Sequence, residues 1–433
     1  MFEQPSLEDL FSTELDQENM NTELVFGETV DFEALGIDLG MDETVPAEEL
    51  ELLQLESNFQ RVASATEEHE RLAATLQAAR ENGGARGDTV TTLASWYEGA
   101  SAILGAHAAD GFDAEAFTEA GGAMSATEDA EMKVKANLSK LKEGAKNIVK
   151  NIVAALKKLF VRYLTKAGRV EAKVKQVFGV AATVKGQAKD KAVSFKGIGY
   201  ASNADDSKEA AAYAMAFAKA GMGQTAAGIK DFISAVSGEK VDMAARNTAF
   251  GRIREGIEKD LGKIQKVDAG HELVKKAKLK GEGNFYVTGQ NIGGKILVVH
   301  VPTANDSKAA PTVRAVQTAS KNPSEMPHVE PATLGPGAKE LVANSKLVGE
   351  KLSSVLSGLE GAGNVNGEHA KQVKGMISFL GEVGKQVHVQ TILQAEAQAN
   401  YAAACIKNMV EKAPAKKDDN KDNKDDKKGE GEE

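Results

Sequence analysis

The chain has 433 residues, 42% hydrophobic but only 5% aromatic, and a formal net charge of −10. That length admits two or three domains, and a core made mostly of Ala, Val, Leu and Ile implies helices packed closely on small side chains. The single cysteine, Cys405, excludes an intrachain disulfide framework and reads as a small core residue. No apolar run reaches the roughly 18 residues of a membrane-spanning helix, so no integral membrane segment is expected.

The net charge hides two opposite parts. Residues 1–131 hold 30 acids, 4 arginines and no lysine, whereas residues 132–433 hold 49 bases and 33 acids. Such asymmetry marks a leader or prosegment chemically distinct from the rest of the chain. The opening MFEQPSLEDLF has neither a basic n-region nor an apolar h-region, so a secretory signal is not expected and a reducing interior is.

In chain order, residues 1–47 read as an acidic, largely disordered leader with short hydrophobic-acidic stretches able to dock on a partner. Residues 48–131 read as an acidic helical prosegment. One helix is expected from Glu48 to about Glu81, a turn at Gly83–Asp88, a second helix from Thr89 to His107, and a loop over Ala108–Ser125. Residues 132–180 are the basic amphipathic segment, expected as one helix or two broken near Gly168. Between Lys133 and Lys175 lie 13 bases and 2 acids, while Val134, Leu138, Leu141, Ala145, Ile148, Ile152, Leu156, Leu159 and Tyr163 form one apolar stripe. Residues 181–303 read as a small α+β unit. It has a strand at Lys191–Ser202, helices at Ser207–Gly221 and Asn247–Val267, and a hairpin at Asn284–Val301. Residues 304–337 carry five of the nine prolines and read as a linker or surface loop. Two long helices, Ala338–Leu359 and His369–Lys412, joined by GAGNVNG, predict a C-terminal antiparallel hairpin. The tail, 413–433, is charge-mixed low complexity and is expected to be disordered. The fold class is therefore mainly α with a small α+β middle unit.

No residue constellation nominates catalysis or a cofactor. The seven histidines are scattered without metal-ligand spacing. GMGQTAAG (Gly221–Gly228) lacks the Lys-Ser/Thr of a phosphate loop and follows no strand, so Gly221 reads as a helix C-cap. The basic helix supports three readings: a stripe buried in the protein's own core with solvated lysines, sequence-blind phosphate neutralisation, or adsorption to an anionic membrane. The lysines assigned to phosphate contact are Lys135, Lys142, Lys146, Lys150, Lys157 and Lys158. SATE occurs twice, at Ser64–Glu67 and Ser125–Glu128. Each copy is either a helix-capping box or a small-x-Glu processing site. A cut after Glu128 would remove nearly all the negative excess, leaving 42 bases and 24 acids in residues 132–410.

The order of parts resembles the internal head proteins of large tailed bacteriophages. An acidic region comes first, then the helix GAKNIVKNIVAALKKLFVRYL, a mixed domain with KILVVHVP, and the Ala/Gln-rich helix VQTILQAEAQANYAAACIKNMVEKA. The resemblance covers roughly Glu48 to Ala413. It implies a non-enzymatic structural protein that is taken into the prohead in the host cytoplasm. Such a protein is cut by the phage's prohead protease after small-x-Glu and retained with the DNA inside the capsid among other internal head and capsid proteins. Ala126-Thr127-Glu128 and Ala65-Thr66-Glu67 match that cleavage pattern, and Ala47-Glu48-Glu49 matches more loosely. The other function considered is a membrane-binding effector whose basic helix is masked by the acidic region.

Overall fold

The computed structural model describes residues 30–41, 45–85, 90–93, 95, 122–201, 204–237, 241–262, 264–288, 295–303, 309–317, 323–359, 361, 365 and 369–410. The expectations for residues 1–29, for the tail and for most of the second prosegment helix lie outside these residues.

Helix α1 (Ala47–Glu81) begins with Glu48 and Glu49 in its first turn, where carboxylates complement the positive end of the helix. It stops at Asn82–Gly84, where Gly83 and Gly84 take positive φ. Helix α2 (Gly122–Thr183) is a single element of 62 residues that runs unbroken through Gly168. The last four residues of the loop expected over Ala108–Ser125 are therefore helical. Neither SATE copy is a capping box: Ser64 lies deep inside α1, and Ser125 lies after the start of α2.

After α2 come two-residue strands β1 (Gln187–Ala188) and β2 (Ala192–Val193), then one turn of helix, α3 (Ile198–Ala201). The expected strand over Lys191–Ser202 shrinks to β2, because Gly197 (φ +87°) turns the chain. Helix α4 (Ala204–Ala220) ends at Gly221 with φ +59°, as the sequence predicts. Helix α5 (Gly223–Val236), not among the predicted elements, packs on α6 (Met243–Asp260). Their contact is backbone on backbone: a Cβ on Gly256 would lie 2.6 Å from the Thr225 amide nitrogen, and one on Gly228 would lie 2.8 Å from that of Ile253. The expected helix Asn247–Val267 stops at Asp260. Its last four residues instead form β3 (Ile264–Val267), after Gly262 at φ +70°.

After α7 (Glu272–Ala277), strands β4 (Gly283–Thr288) and β5 (Lys295–Pro302) form the expected hairpin. The proline-rich stretch is more than a linker, since β6 (Thr312–Gln317) extends the antiparallel sheet to the order β3-β4-β5-β6. Alternation along β5 divides the sheet's faces. Leu297, Val299 and Val301 face the main core, and Val298 faces a small cluster with Val274, Phe285 and Val287. His300 stacks on Phe285 at 4.6 Å and is a structural histidine. Strand β7 (Met326–Pro327) pairs with β2, and a 3-10 turn follows at Pro331–Leu334.

The C-terminal hairpin is α8 (Gly335–Ser357) and α9 (Ala370–Lys407), and β8 (Met409–Val410) closes on β1. Contacts fix the directions. Gly381 and Gly384 meet Leu156 and Phe160, so α9 runs parallel to α2. Gly349 and Gly335 meet Leu164 and Phe178, so α8 runs antiparallel to both. Part of the acidic leader also folds onto this body. Phe32 and Ile37 are buried, Lys407 Nζ lies 5.5 Å from the Phe32 ring centroid, and Lys173 donates to Gly40 O at 2.8 Å. Lys173 also pairs with buried Glu396 at 3.2 Å. Burial holds the Lys173 ammonium below the usual lysine range, and Glu396 opposes that shift.

Candidate functional site

The stripe on α2 fills the protein's own core. Val134, Leu141, Ile152, Leu156, Leu159 and Tyr163 are buried, and Leu138 and Ile148 are partly so. Burial of that face leaves the cations of α2 at the rim, where α1 meets them.

Helix α1 lies along α2 with a row of acids set opposite lysines of two helices. Glu70 pairs with Lys142 at 3.0 Å and Glu51 with Lys158 at 3.6 Å, both on α2. Glu67 pairs with Lys371 at 3.2 Å, Glu56 with Lys374 at 2.8 Å, and Glu49 with Lys385, all on α9. The acid numbers fall as the lysine numbers rise, so α1 runs antiparallel to both helices. Between the charges, Phe59, Leu72 and Leu76 of α1 are buried. At the far end Arg80 reaches Glu131 at 3.1 Å, and Lys135 reaches the same carboxylate at 2.5 Å. The Lys135 hydrogen bond, with help from Arg80, holds the Glu131 carboxyl below its ordinary range against the effect of burial.

Of the six lysines singled out from the sequence, Lys135, Lys150 and Lys158 are exposed, and Lys142, Lys146 and Lys157 are half-buried. Lys146 pairs within its own helix with Glu143 at 3.5 Å. Sequence reasoning missed the α9 lysines, Lys371, Lys374 and Lys385. Their separations of 3 and 11 residues do not match the 11 and 7 between Glu67, Glu56 and Glu49, so the pairing is readable only once the two helices are packed together.

The two cleavage candidates differ in setting. Thr127 is fully buried and accepts a hydrogen bond from the Ala85 amide at 2.9 Å, but Ala126 is half-buried, Glu128 is exposed, and all three sit within two turns of the start of α2. Ala65 and Thr66 are buried in the middle of α1, with Thr66 bonded to Val62 O at 2.8 Å and His69 to Ala65 O at 2.9 Å. Glu67 is half-buried there. Among the described residues no His/Cys/Asp/Glu group could hold a metal ion, and no helix is long and apolar enough to cross a membrane.

No curated protein and no solved structure matches the chain. A family model does: that of the phiKZ-like phage internal head proteins matches residues 47–386, from the first residue of α1 to the middle of α9. The chain belongs to that family, and is a structural protein of the interior of a phage head.

Proposed function

We propose that α1 is an acidic mask over a cationic body, and that processing in the assembling head lets the body compensate the charge of packaged DNA. The observation that carries this reading is the row of α1 acids on Lys142, Lys158, Lys371, Lys374 and Lys385. Lysines held by weak, partly exposed ion pairs exchange readily for phosphate, because such pairs contribute little in water. The contact would be sequence-blind and salt-dependent, with each lysine acting as a point charge.

The prohead protease would cut after Glu128 first. Extended substrate is reached there by fraying the start of α2, whereas Glu67 requires α1 to open in its middle. One cut does not release α1, since Phe59, Leu72 and Leu76 still anchor it. Displacement then falls to the polyanion itself, or to a second cut after Glu67. Neighbouring capsid and internal head proteins are the other partners this reading implies. The membrane reading loses its physical basis in the folded chain, because the apolar face it needs is already occupied.

The test compares duplex DNA retention by the full chain with retention by protein recovered from mature heads. The recovered form should bind more tightly and with a steeper salt dependence. Identical curves at every salt concentration would overturn the masking role.

A further inference from the structure

Where α1 begins, a half-open cavity of about 440 Å3 lies between α2, α9 and β5. That volume falls within the range of small-ligand sites. Its wall is charged with one sign. Arg162, Lys166 and Arg169 come from successive turns of α2, Lys295 from β5 and Lys385 from α9, against one carboxylate among the described residues, that of Glu49. A concave wall of one charge concentrates the field and draws in anions.

Glu49 already shows what the cavity accepts. Its carboxylate takes one hydrogen bond from the Lys385 ammonium and another, at 3.2 Å, from the Tyr163 hydroxyl. Burial, reinforced by this carboxylate, holds the Tyr163 phenol well above its ordinary range, so it stays protonated as a donor. Gln390 also lines the cavity at 5% exposure, and its side-chain oxygen has no hydrogen-bond partner among the described residues. That amide either accepts from a ligand hydroxyl or, turned about its last torsion, donates its NH2 to an anion.

We propose that this cavity is a binding site for a run of linked phosphates, with Glu49 as its resident competitor. Seven residues of helix separate Arg162 from Arg169, about 10 Å at the rise of an α-helix, which is longer than one phosphate group. Each of the two guanidiniums can hold a pair of phosphate oxygens with its fork of N–H donors. The site goes beyond the diffuse compensation proposed above, because it is local and saturable. The linked phosphates could come from a free oligophosphate or from a nucleic-acid strand.

The experiment is calorimetric titration of the full chain with inorganic tripolyphosphate. We expect saturation at one equivalent. The double variant K166Q/R169Q should weaken binding by at least about tenfold, the loss expected for two charged hydrogen bonds. E49Q should tighten it, and K140Q/K230Q, exposed and outside the cavity, should leave it within about twofold. Thermal melting checks that each variant is folded. An unsaturable heat, or equal weakening by K140Q/K230Q and K166Q/R169Q, would overturn the site. Displacement of bound tripolyphosphate by a single-stranded oligonucleotide assigns the natural source to a strand, and lack of displacement assigns it to a free oligophosphate. Failure of the site would leave the masking reading standing, since four of the five ion pairs that carry it, those of Lys142, Lys158, Lys371 and Lys374, lie outside the cavity.

Discussion

Replacing Glu51, Glu56, Glu67 and Glu70 together by Gln separates charge masking from physical covering. The four carboxylates face Lys158, Lys374, Lys371 and Lys142 at 3.6, 2.8, 3.2 and 3.0 Å. Pairs of this exposure contribute about 0.2–1 kcal/mol each, so the variant should lose only about 1–3 kcal/mol of stability. The apolar anchor stays in place: Phe59, Leu72 and Leu76 remain buried, at about 1.5–3 kcal/mol apiece. Helix α1 therefore remains docked while four lysines lose their acidic neighbours. Each lysine that then meets a phosphate steepens the dependence of log K on log salt by about 0.9, which sets a ceiling of about 3.6 for four. Fluorescence anisotropy of a labelled duplex, titrated from low to moderate salt, reads both slope and affinity. The account predicts tighter binding and a slope steeper by about two to 3.6. A folded variant with the wild-type slope would refute the reasoning.

Limited digestion of the full chain with a Glu-specific protease should cut after Glu128 well before Glu67. Mass spectrometry of the fragments gives the order, and the 1–128 fragment should co-elute with the body at low salt. His388 is wholly buried between α8 and α9, bonded to Ser345 O at 2.8 Å, and burial pushes its pKa down to about 4. Because the unfolded chain binds that proton more readily, stability is complete above about pH 6.5 and falls as pH drops toward 4, by up to about 3 kcal/mol. Urea midpoints across that window should show the loss, and His388→Gln should flatten it. Gly256→Ala should destabilise by about 1–3 kcal/mol, because its methyl meets the Thr225 backbone rather than a side chain that can turn away; thermal melting reads this. Phe59→Ala should cost about 3–5 kcal/mol and loosen α1, seen as faster amide exchange over 47–81.

Long periodic stretches were legible in the sequence because their pattern is local. The α2 stripe, the C-terminal hairpin and the β4–β5 hairpin are carried by residues three, four or two apart. What failed depends on partners distant in the chain. Helix α5 opens in a glycine-rich run that weakens its own signal, and only its close fit to α6 at Gly228 and Gly256 explains those glycines. Strand β6 hides among prolines because its identity comes from pairing with β5. Ile264 continues the helical period of α6, but Gly262 and the edge of β4 take it into a strand. Phe32 gives no hint that it docks beneath Lys407. For the candidate site, the opposite charges of prosegment and body were plain. Their register, and the part played by α9, required the fold.

The central claim is that the acidic mask is removed where the protein works. The most direct measurement is the N-terminal sequence and intact mass of this protein from purified mature heads, set beside those from proheads. The account predicts a chain beginning at Asp129 in mature heads and an uncut one in early proheads. A chain that still begins at Met1 or Phe2 in mature heads would contradict it.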